Sequence, residues 1–315
     1  MRVLLAVSGG IDSMYMLNRA PELFPGASYA VAHCNFRLRG ADSDGDEEFV
    51  RRECGRLGVE CFVKHFDTME YASEHGISVE MAARELRYAW FSELCSEHGF
   101  DALATAHNAN DNAETLILNL LRGTGTKGMR GIPGGCSVLP HSTTSPEIVR
   151  PLLKTSREEI REWMESNGKR WREDRTNAEN EARRNKIRNQ VFPVFAEINP
   201  SFIRTLGADM DRIRQTDDIA EDYFREAEAR IVSQGQDGAT QISVPGLLEL
   251  KHWRYVLWRI LEDCGFSAET FGKMCGLLER YRIEPSGTVT LSGKRFESPR
   301  CVLRARKKHL IISSR

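Results

Sequence analysis

The chain has 315 residues, 41% of them hydrophobic, with 44 basic and 45 acidic side chains and a formal net charge of −1. That length supports two cores of moderate size, and the near-zero charge excludes a molecule-wide field for nucleic acid, so any such site must be local. No apolar run approaches the roughly 18 residues of a membrane span and residues 3–7 are too short for a secretory core, so the protein is expected to be cytoplasmic with no membrane partner.

Residues 3–7 read as a buried strand running into Ser8, Gly9, Gly10, Ile11, Asp12 and Ser13 (SGGIDS). Glycines let the backbone approach a ligand, and a helix starting near Asp12 and Ser13 would aim unpaired N–H groups and a partial positive charge at it. An anion is the natural occupant. The Ser8 and Ser13 hydroxyls suit phosphate oxygens and the Asp12 carboxylate suits a hard cation such as Mg²⁺. The plain alternative is a strand–turn–helix with a polar cap. The segment is neither GxxxxGK[ST] nor GxGxxG, so the Walker and dinucleotide fingerprints do not apply.

Further along, periodicity predicts a helix over 13–19, a strand over 28–33, and a helix over 48–57 after an acidic, Gly-containing stretch. A strand over 60–65, a long helix over 78–98, a short strand over 101–104 and a helix over about 110–121 complete the pattern. Strands alternating with helices imply an α/β, doubly wound parallel sheet covered on both faces, with ligands at the carboxyl ends of its strands.

Residues 123–144 read as a loop, and Ser156 with Glu159 forms an S-x-x-E capping box for a helix reaching about Asn167. Asn199-Pro200 breaks the chain. A long polar helix or helix pair over 201–232, a turn over 235–238, helices over 247–264 and 268–281, and short β segments from 288 follow. The boundary is placed at 195–205, giving domains over 1–200 and 201–315. The eight cysteines form no C-x-x-C pair, which argues against a zinc or iron–sulfur site and for reduced, core-filling thiols.

Several constellations carry chemistry. His107, Asp111 and Glu114 fall at i, i+4 and i+7 around a helix start and share a face, where carboxylates can bind Mg²⁺, orient an amine or take its proton. Acids placed to suit the helix dipole are the plain alternative. Arg84 and Arg87, beside Tyr88, suit phosphates or surface ion pairs with Glu80 and Glu85. His33, Asn35 and Arg37 occupy the rim of the sheet. Residues 183–188 pack four cations into six positions, and residues 294–315 hold eight cations against Glu297, a local charge of +7 that offers an RNA-binding field.

SGGIDS resembles the loop of the PP-loop ATP pyrophosphatases, which cleave ATP between the α and β phosphates. It is followed in order by HCNFRLRG (33–40), EMAARELRYAWF (80–91), ATAHNANDNAETLILNLLRGTG (104–125), RPLLKTSREEI (150–160), WREDRTN (171–177) and RRNKIRNQVFP (183–193). Taken together, these segments resemble the tRNA(Ile)-lysidine synthetases, densely over residues 1–200 and beyond only by helical character. The resemblance implies a ligase that forms a carbon–nitrogen bond. Free L-lysine is joined to C2 of the wobble cytidine of the CAU-anticodon isoleucine tRNA, through an O2-adenylyl intermediate, with release of AMP and pyrophosphate. The product pairs with A instead of G and carries isoleucine identity.

The same resemblance implies ATP binding by Ser8, Gly9, Gly10, Ile11, Asp12, Ser13, His33 and Arg87, with Mg²⁺ on Asp12. It implies lysine binding by Asp111 and Glu114, and catalysis by Asp12, Arg87, His107 and Asp111. Arg184, Lys186, Arg188, Arg304, Arg306 and Lys307 are assigned to tRNA, the last three within a helical domain over 201–315; a homodimer is left open. Two departures stand out. The family commonly has His-His-x-Asp-Asp where this chain has His107-Asn108-Ala109-Asn110-Asp111, so roles of the second His and first Asp do not carry over. Many members also extend into an additional C-terminal domain, so this chain resembles the shorter form or a truncated one. The rivals are a PP-loop tRNA thiolase, disfavoured by the unpaired cysteines, and a non-catalytic nucleotide-dependent RNA-binding protein, disfavoured by Asp12, His107 and Asp111.

Overall fold

The computed structural model describes residues 1–134, 137–138, 146–172, 181–235, 238–283, 291–306 and 308–314. These fall into two compact units, Met1–Arg214 and Gln215–Arg315. No helix among the described residues is long and apolar enough to cross a membrane.

The first unit begins β1 (Arg2–Ala6), α1 (Ile11–Asn18), α2 (Ala20–Leu23), β2 (Ser28–Asn35), α3 (Ala41–Leu57), β3 (Cys61–His65), α4 (Thr68–His75) and α5 (Val79–His98). It continues β4 (Ala102–Ala104), α6 (Ala109–Arg122), α7 (Thr126–Met129), β5 (Ser137–Val138), β6 (Glu147–Val149) and α8 (Arg157–Ser166). Then come α9 (Glu181–Lys186), a π-helical turn at Ile187–Val191, α10 (Phe192–Ile198) and α11 (Phe202–Ile231), whose last turns belong to the second unit.

The sheet order is β3-β2-β1-β4-β6-β5, parallel except for β5 at the edge. β1 is almost wholly apolar because both of its faces are covered. Val3 and Leu5 pack with Met14, Leu17, Ile160 and Met164 of α1 and α8, while Leu4 packs with Trp90, Phe91 and Leu94 of α5 on the other face. The chain adds β2 and β3 on one side of β1, then crosses to place β4 on the other. That reversal opens a crevice at the carboxyl ends of β1 and β4, where α/β sheets collect ligands.

Several elements differ from their predicted extents. The acidic stretch at 40–48, which lay ahead of the predicted helix, is the first half of α3. Its Asp42 and Asp44 sit in the first turn, where acids complement the dipole, and Gly40 (φ +51, ψ −125) supplies the bend that starts it. β2 runs on to Asn35, α1 starts two residues early at Ile11, and α4 and the buried β6 were hidden by their brevity. The predicted loop over 123–144 contains α7, and residues 135–136 and 139–144 lie outside the described residues. The helix predicted over 247–264 is two helices, interrupted at Leu250, whose ψ of 135° is extended.

The second unit continues from α11 with β7 (Val232–Gln234), β8 (Thr240–Ser243), α12 (Val244–Glu249), α13 (Trp253–Leu261), α14 (Ala268–Ile283), β9 (Arg295–Glu297), β10 (Cys301–Arg306) and β11 (His309–Ser314). Its antiparallel sheet, ordered β7-β8-β11-β10-β9, is larger than the short terminal element predicted from residue 288. One face, carrying Ile242, Leu303, Ala305, Leu310 and Ile312, packs with Leu247, Val256, Leu257 and Leu278. By strand alternation the other face carries Arg304 and Arg306, with Arg295 opposite Arg304 and His309 opposite Arg306.

Candidate active site

The SGGIDS loop leaves β1 at the crevice and folds back on itself. Ser13 Oγ accepts from the backbone N–H groups of Ser8 and Gly9 at 3.2 Å each and donates to Gly10 O at 2.9 Å. Gly9 has φ +97, a conformation that L residues rarely adopt. Gly10 is different. Its φ of −71 suits any residue, and an added Cβ would meet only Ser8 Oγ at 3.6 Å, so neither backbone nor packing demands glycine. Its bareness leaves room for a group that comes close. Gly10 also caps α1 without a side chain, leaving the first-turn N–H groups without a side-chain acceptor, the arrangement that binds phosphate. Arg172 braces the loop from outside, its N–H donating to Gly9 O at 3.0 Å and its guanidinium pairing with Asp46 of α3. The rest of the WREDRTN segment, residues 173–177, lies outside the described residues.

The second wall comes from the β4–α6 junction. Asn108 is the N-cap of α6 and forms a reciprocal capping box with Asp111: its Oδ1 accepts from Asp111 N at 3.0 Å, and Asp111 Oδ2 accepts from Asn108 N at 3.1 Å. The Asn108 amide also donates to Asp12 Oδ1 at 3.0 Å, tying the two walls together. Asn110 Oδ1 takes the Arg157 N–H at 3.0 Å, so α8 is fastened to the same junction. Both departures from the family pattern therefore have structural partners.

Between the walls lies a cavity of 280 Å³ lined by Ser8, Gly10, Asp12, Ser13, Arg87, His107 and Asp111 on its polar side, and by Phe36, Phe91 and Tyr88 on its aromatic side. Phe36 stacks on Phe66 at 5.4 Å, and the Arg87 guanidinium lies 5.2 Å from the Phe36 ring centre. Such a cavity offers a flat apolar surface beside a cationic and N–H-rich end, which suits a base and its phosphates. Cys34 lines it too, but burial pushes its thiol up to about 12, so it is no thiolate at neutral pH.

Electrostatics set the two walls against each other. Burial and the neighbouring Asp111 push the Asp12 carboxyl above the usual range, opposed by the Asn108 hydrogen bond and by Arg157 and Arg188. Burial drives His107 down to about 4, against the pull of Asp111, so its imidazole is neutral at pH 7; Nδ1 shares a 3.0 Å hydrogen bond with the Thr105 hydroxyl. A depressed folded-state value means that His107 adds stability above its unfolded pKa near 6.5, and this is lost as pH falls toward about 4. In a proton NMR titration His107 should therefore keep its neutral-form shifts through pH 6. A midpoint near 6.5 would contradict the burial.

The remaining predicted residues are placed as follows. Ile11 is in the core under α1, at 7% exposure. His33, also buried, supports the loop from beneath through Nδ1 and Val7 O at 2.9 Å, and does not line the cavity. Glu114 is fully buried; Arg188 Nη2 pairs with its Oε1 at 2.8 Å and lies 3.8 Å from Asp111 Oδ1. Arg184 donates to Thr115 Oγ1 at 3.3 Å, while Lys186 is exposed. The segment assigned to tRNA thus turns two of its cations inward onto α6. Arg304 and Arg306 are exposed in the second unit, and Lys307 lies outside the described residues. Sequence reasoning missed Phe36, Tyr88, Thr105 and Asn108 as parts of the site. Only Asn108 left a usable signal, an Asn three residues before an Asp at a helix start.

Residues 1–195 match the PP-loop domain family model ATP_bind_3. The tRNA(Ile)-lysidine synthase of Bacteroides thetaiotaomicron is 38% identical over 267 residues, 85% of this chain and 59% of that protein. Its counterpart in Porphyromonas gingivalis is 45% identical over 204 residues, 65% of this chain and 43% of that protein. The chain thus spans about half the length of these relatives. The tRNA(Ile)-lysidine synthase of Chlorobaculum tepidum is 38% identical over 300 residues, covering 90% of this chain and 86% of that one. Among solved structures, the U34-tRNA thiolase NcsA from Methanococcus maripaludis, described with its [4Fe-4S] cluster, superposes with a TM-score of 0.56. It is 18% identical, with 68% of this chain and 72% of that chain covered, a likeness of fold alone.

Proposed function

Because this chain belongs to the tRNA(Ile)-lysidine synthase family and carries its PP-loop domain over residues 1–195, we propose that it ligates L-lysine to C2 of the wobble cytidine of a CAU-anticodon isoleucine tRNA at the expense of ATP. The observation that supports this most is the meeting of the SGGIDS loop and the α6 start in one cavity, with Asp12 and Asp111 joined through Asn108.

In the first step, the cytidine O2 attacks the α-phosphorus of ATP and pyrophosphate leaves with the electrons of the broken P–O bond. The bare α1 N-terminus, the Ser8 hydroxyl and the Arg87 guanidinium are suited to hold the phosphates against the growing negative charge. In the second step, the lysine ε-amine attacks C2, AMP departs and the amine loses its proton. Asp111 is the group assigned to orient that amine and take the proton. Glu114, sealed beneath the cavity, acts through Arg188, which holds the Asp111 side of the site.

Mg²⁺ fits this donor set. Among the described residues no group of three or more His, Cys, Asp or Glu could hold a metal unaided, and Mg²⁺ usually takes one or two carboxylates and completes its shell with phosphates and water. Asp12, with Asp111 beside it, would hold the ion, which supplies charge neutralisation on the phosphates when bound.

The test is release of pyrophosphate and AMP when the protein meets ATP, Mg²⁺, lysine and the cognate tRNA, with one AMP formed per lysine incorporated. Absence of lysine-dependent AMP formation sinks the ligase reading. For the tRNA body, Arg304 and Arg306 on the open face of the second unit are assigned to phosphates. Replacing both with alanine should weaken tRNA binding and make the log–log salt dependence shallower by about 1 per arginine. An unchanged salt slope would remove them from the interface.

A further inference from the structure

Asn108 meets both carboxylates of the cavity and is itself almost wholly buried, at 1% exposure. Its amide orientation has only one solution. Oδ1 faces the Asp111 backbone N–H at 3.0 Å, so it must be the acceptor, and Nδ2 must then be the group directed at Asp12 Oδ1, also at 3.0 Å. Its own backbone N–H donates to Asp111 Oδ2 at 3.1 Å. One residue therefore fixes two side chains that stand on α1 and α6, 96 positions apart for the Asn108–Asp12 pair. Among the described residues, no other hydrogen bond reaches the Asp12 side chain. An amide does this without a charge. A lysine or arginine in its place would cancel the negative field that a cation needs, whereas Asn108 restrains two mutually repelling carboxylates without adding a positive charge.

We propose that Asn108 is a positioning residue that holds Asp12 and Asp111 in register for a divalent cation and the phosphates it carries. This rests on the reading of the cavity as an ATP site.

Helix capping and positioning can be separated, because Ser and Asp cap helices about as well as Asn. Asn108→Ser keeps an acceptor for the Asp111 N–H but has no group that reaches Asp12. Asn108→Asp keeps size and cap but loses the donor. Asn108→His again offers one donor and one acceptor. The Mg²⁺ dependence of α,β-methylene-ATP binding, followed by calorimetry, gives a readout that needs no turnover. Both N108S and N108D should require about tenfold or more Mg²⁺ for half-maximal binding; N108S should melt near the wild-type temperature, whereas N108D, which sets a third carboxylate against Asp12, should melt lower. Their kcat for pyrophosphate release should fall by about 10–100-fold, with KM for ATP changing less. N108H should recover most of both losses.

Wild-type Mg²⁺ dependence and kcat in folded N108S or N108D would overturn the proposal. So would losses in N108S in step with a lowered melting temperature that N108H does not restore. The analogue does not involve the acceptor. A wild-type protein that binds it with Mg²⁺ yet makes no lysine-dependent AMP therefore counts against the ligase reading and leaves the Asn108 result standing.

Discussion

Arg188→Ala should lower the stability of the first unit by about 3–5 kcal/mol, read as a shift in the denaturation midpoint at constant slope. Glu114 has no exposed surface, Arg188 bonds its Oε1, and Oε2 already lacks a partner. Without the guanidinium, the buried carboxylate would lose its one hydrogen-bonded cation and keep only the more distant charge of Arg184, which is far costlier than never having had the pair. Burial already raises the Glu114 pKa and Arg188 opposes that rise, so in the variant Glu114 would take up a proton more readily. The destabilisation should therefore be larger at pH 8 than at pH 5, because protonation relieves the buried charge. Pairing Arg188→Met with Glu114→Gln should recover a large part of the loss in a double-mutant cycle. A loss below about 1 kcal/mol, the value of an exposed ion pair, would show that Glu114 is not sealed in solution.

Asp12→Asn is expected to reduce pyrophosphate release by at least about 10²–10³-fold, the usual scale for removing one electrostatic partner of a reacting group. Its stability should move the other way. The folded-state carboxyl of Asp12 is raised above its ordinary value, so the folded protein holds its proton more tightly than the unfolded chain does. Ionisation at neutral pH therefore works against the fold, and the isosteric amide should melt at the same or a higher temperature. Its Oδ1 can still accept from Asn108, so position is kept and charge is lost. Lower activity together with a lower melting temperature would point to a structural role for Asp12 instead.

The parallel sheet was legible because its central strands are apolar runs and its long helices carry caps. Ser78 accepts from Met81 N, and Ser156 and Glu159 cap α8 reciprocally, as the S-x-x-E pattern predicted. What stayed hidden had local signals that point elsewhere. The first half of α3 is acidic and contains Gly45, a poor helix former, so the predicted helix began only at 48; yet a Cβ there would come within 3.2 Å of Arg172 Nη2, so the glycine makes room for the brace on the SGGIDS loop. The inward aim of Arg188 was also invisible. It sits in the π-helical turn at Ile187–Val191, where the ordinary 3.6-residue period no longer tells which way a side chain points. His107 and Asp111 were recognisable from spacing, whereas the aromatic wall at Phe36 and Tyr88 depends on how β2 and α5 pack, which no local pattern records.

On the ribosome, the loop after β1 is made long before its counterpart. Asp12 waits for Asn108, 96 positions further on, and β4 can slot beside β1 only after β2, β3 and the intervening helices have emerged. Parallel pairing across such a span is among the slowest contacts to form, because the chain between must first be ordered. A nascent or partly folded chain thus carries one wall of the cavity and lacks the other. The two walls of the cavity face each other only once the sheet has closed.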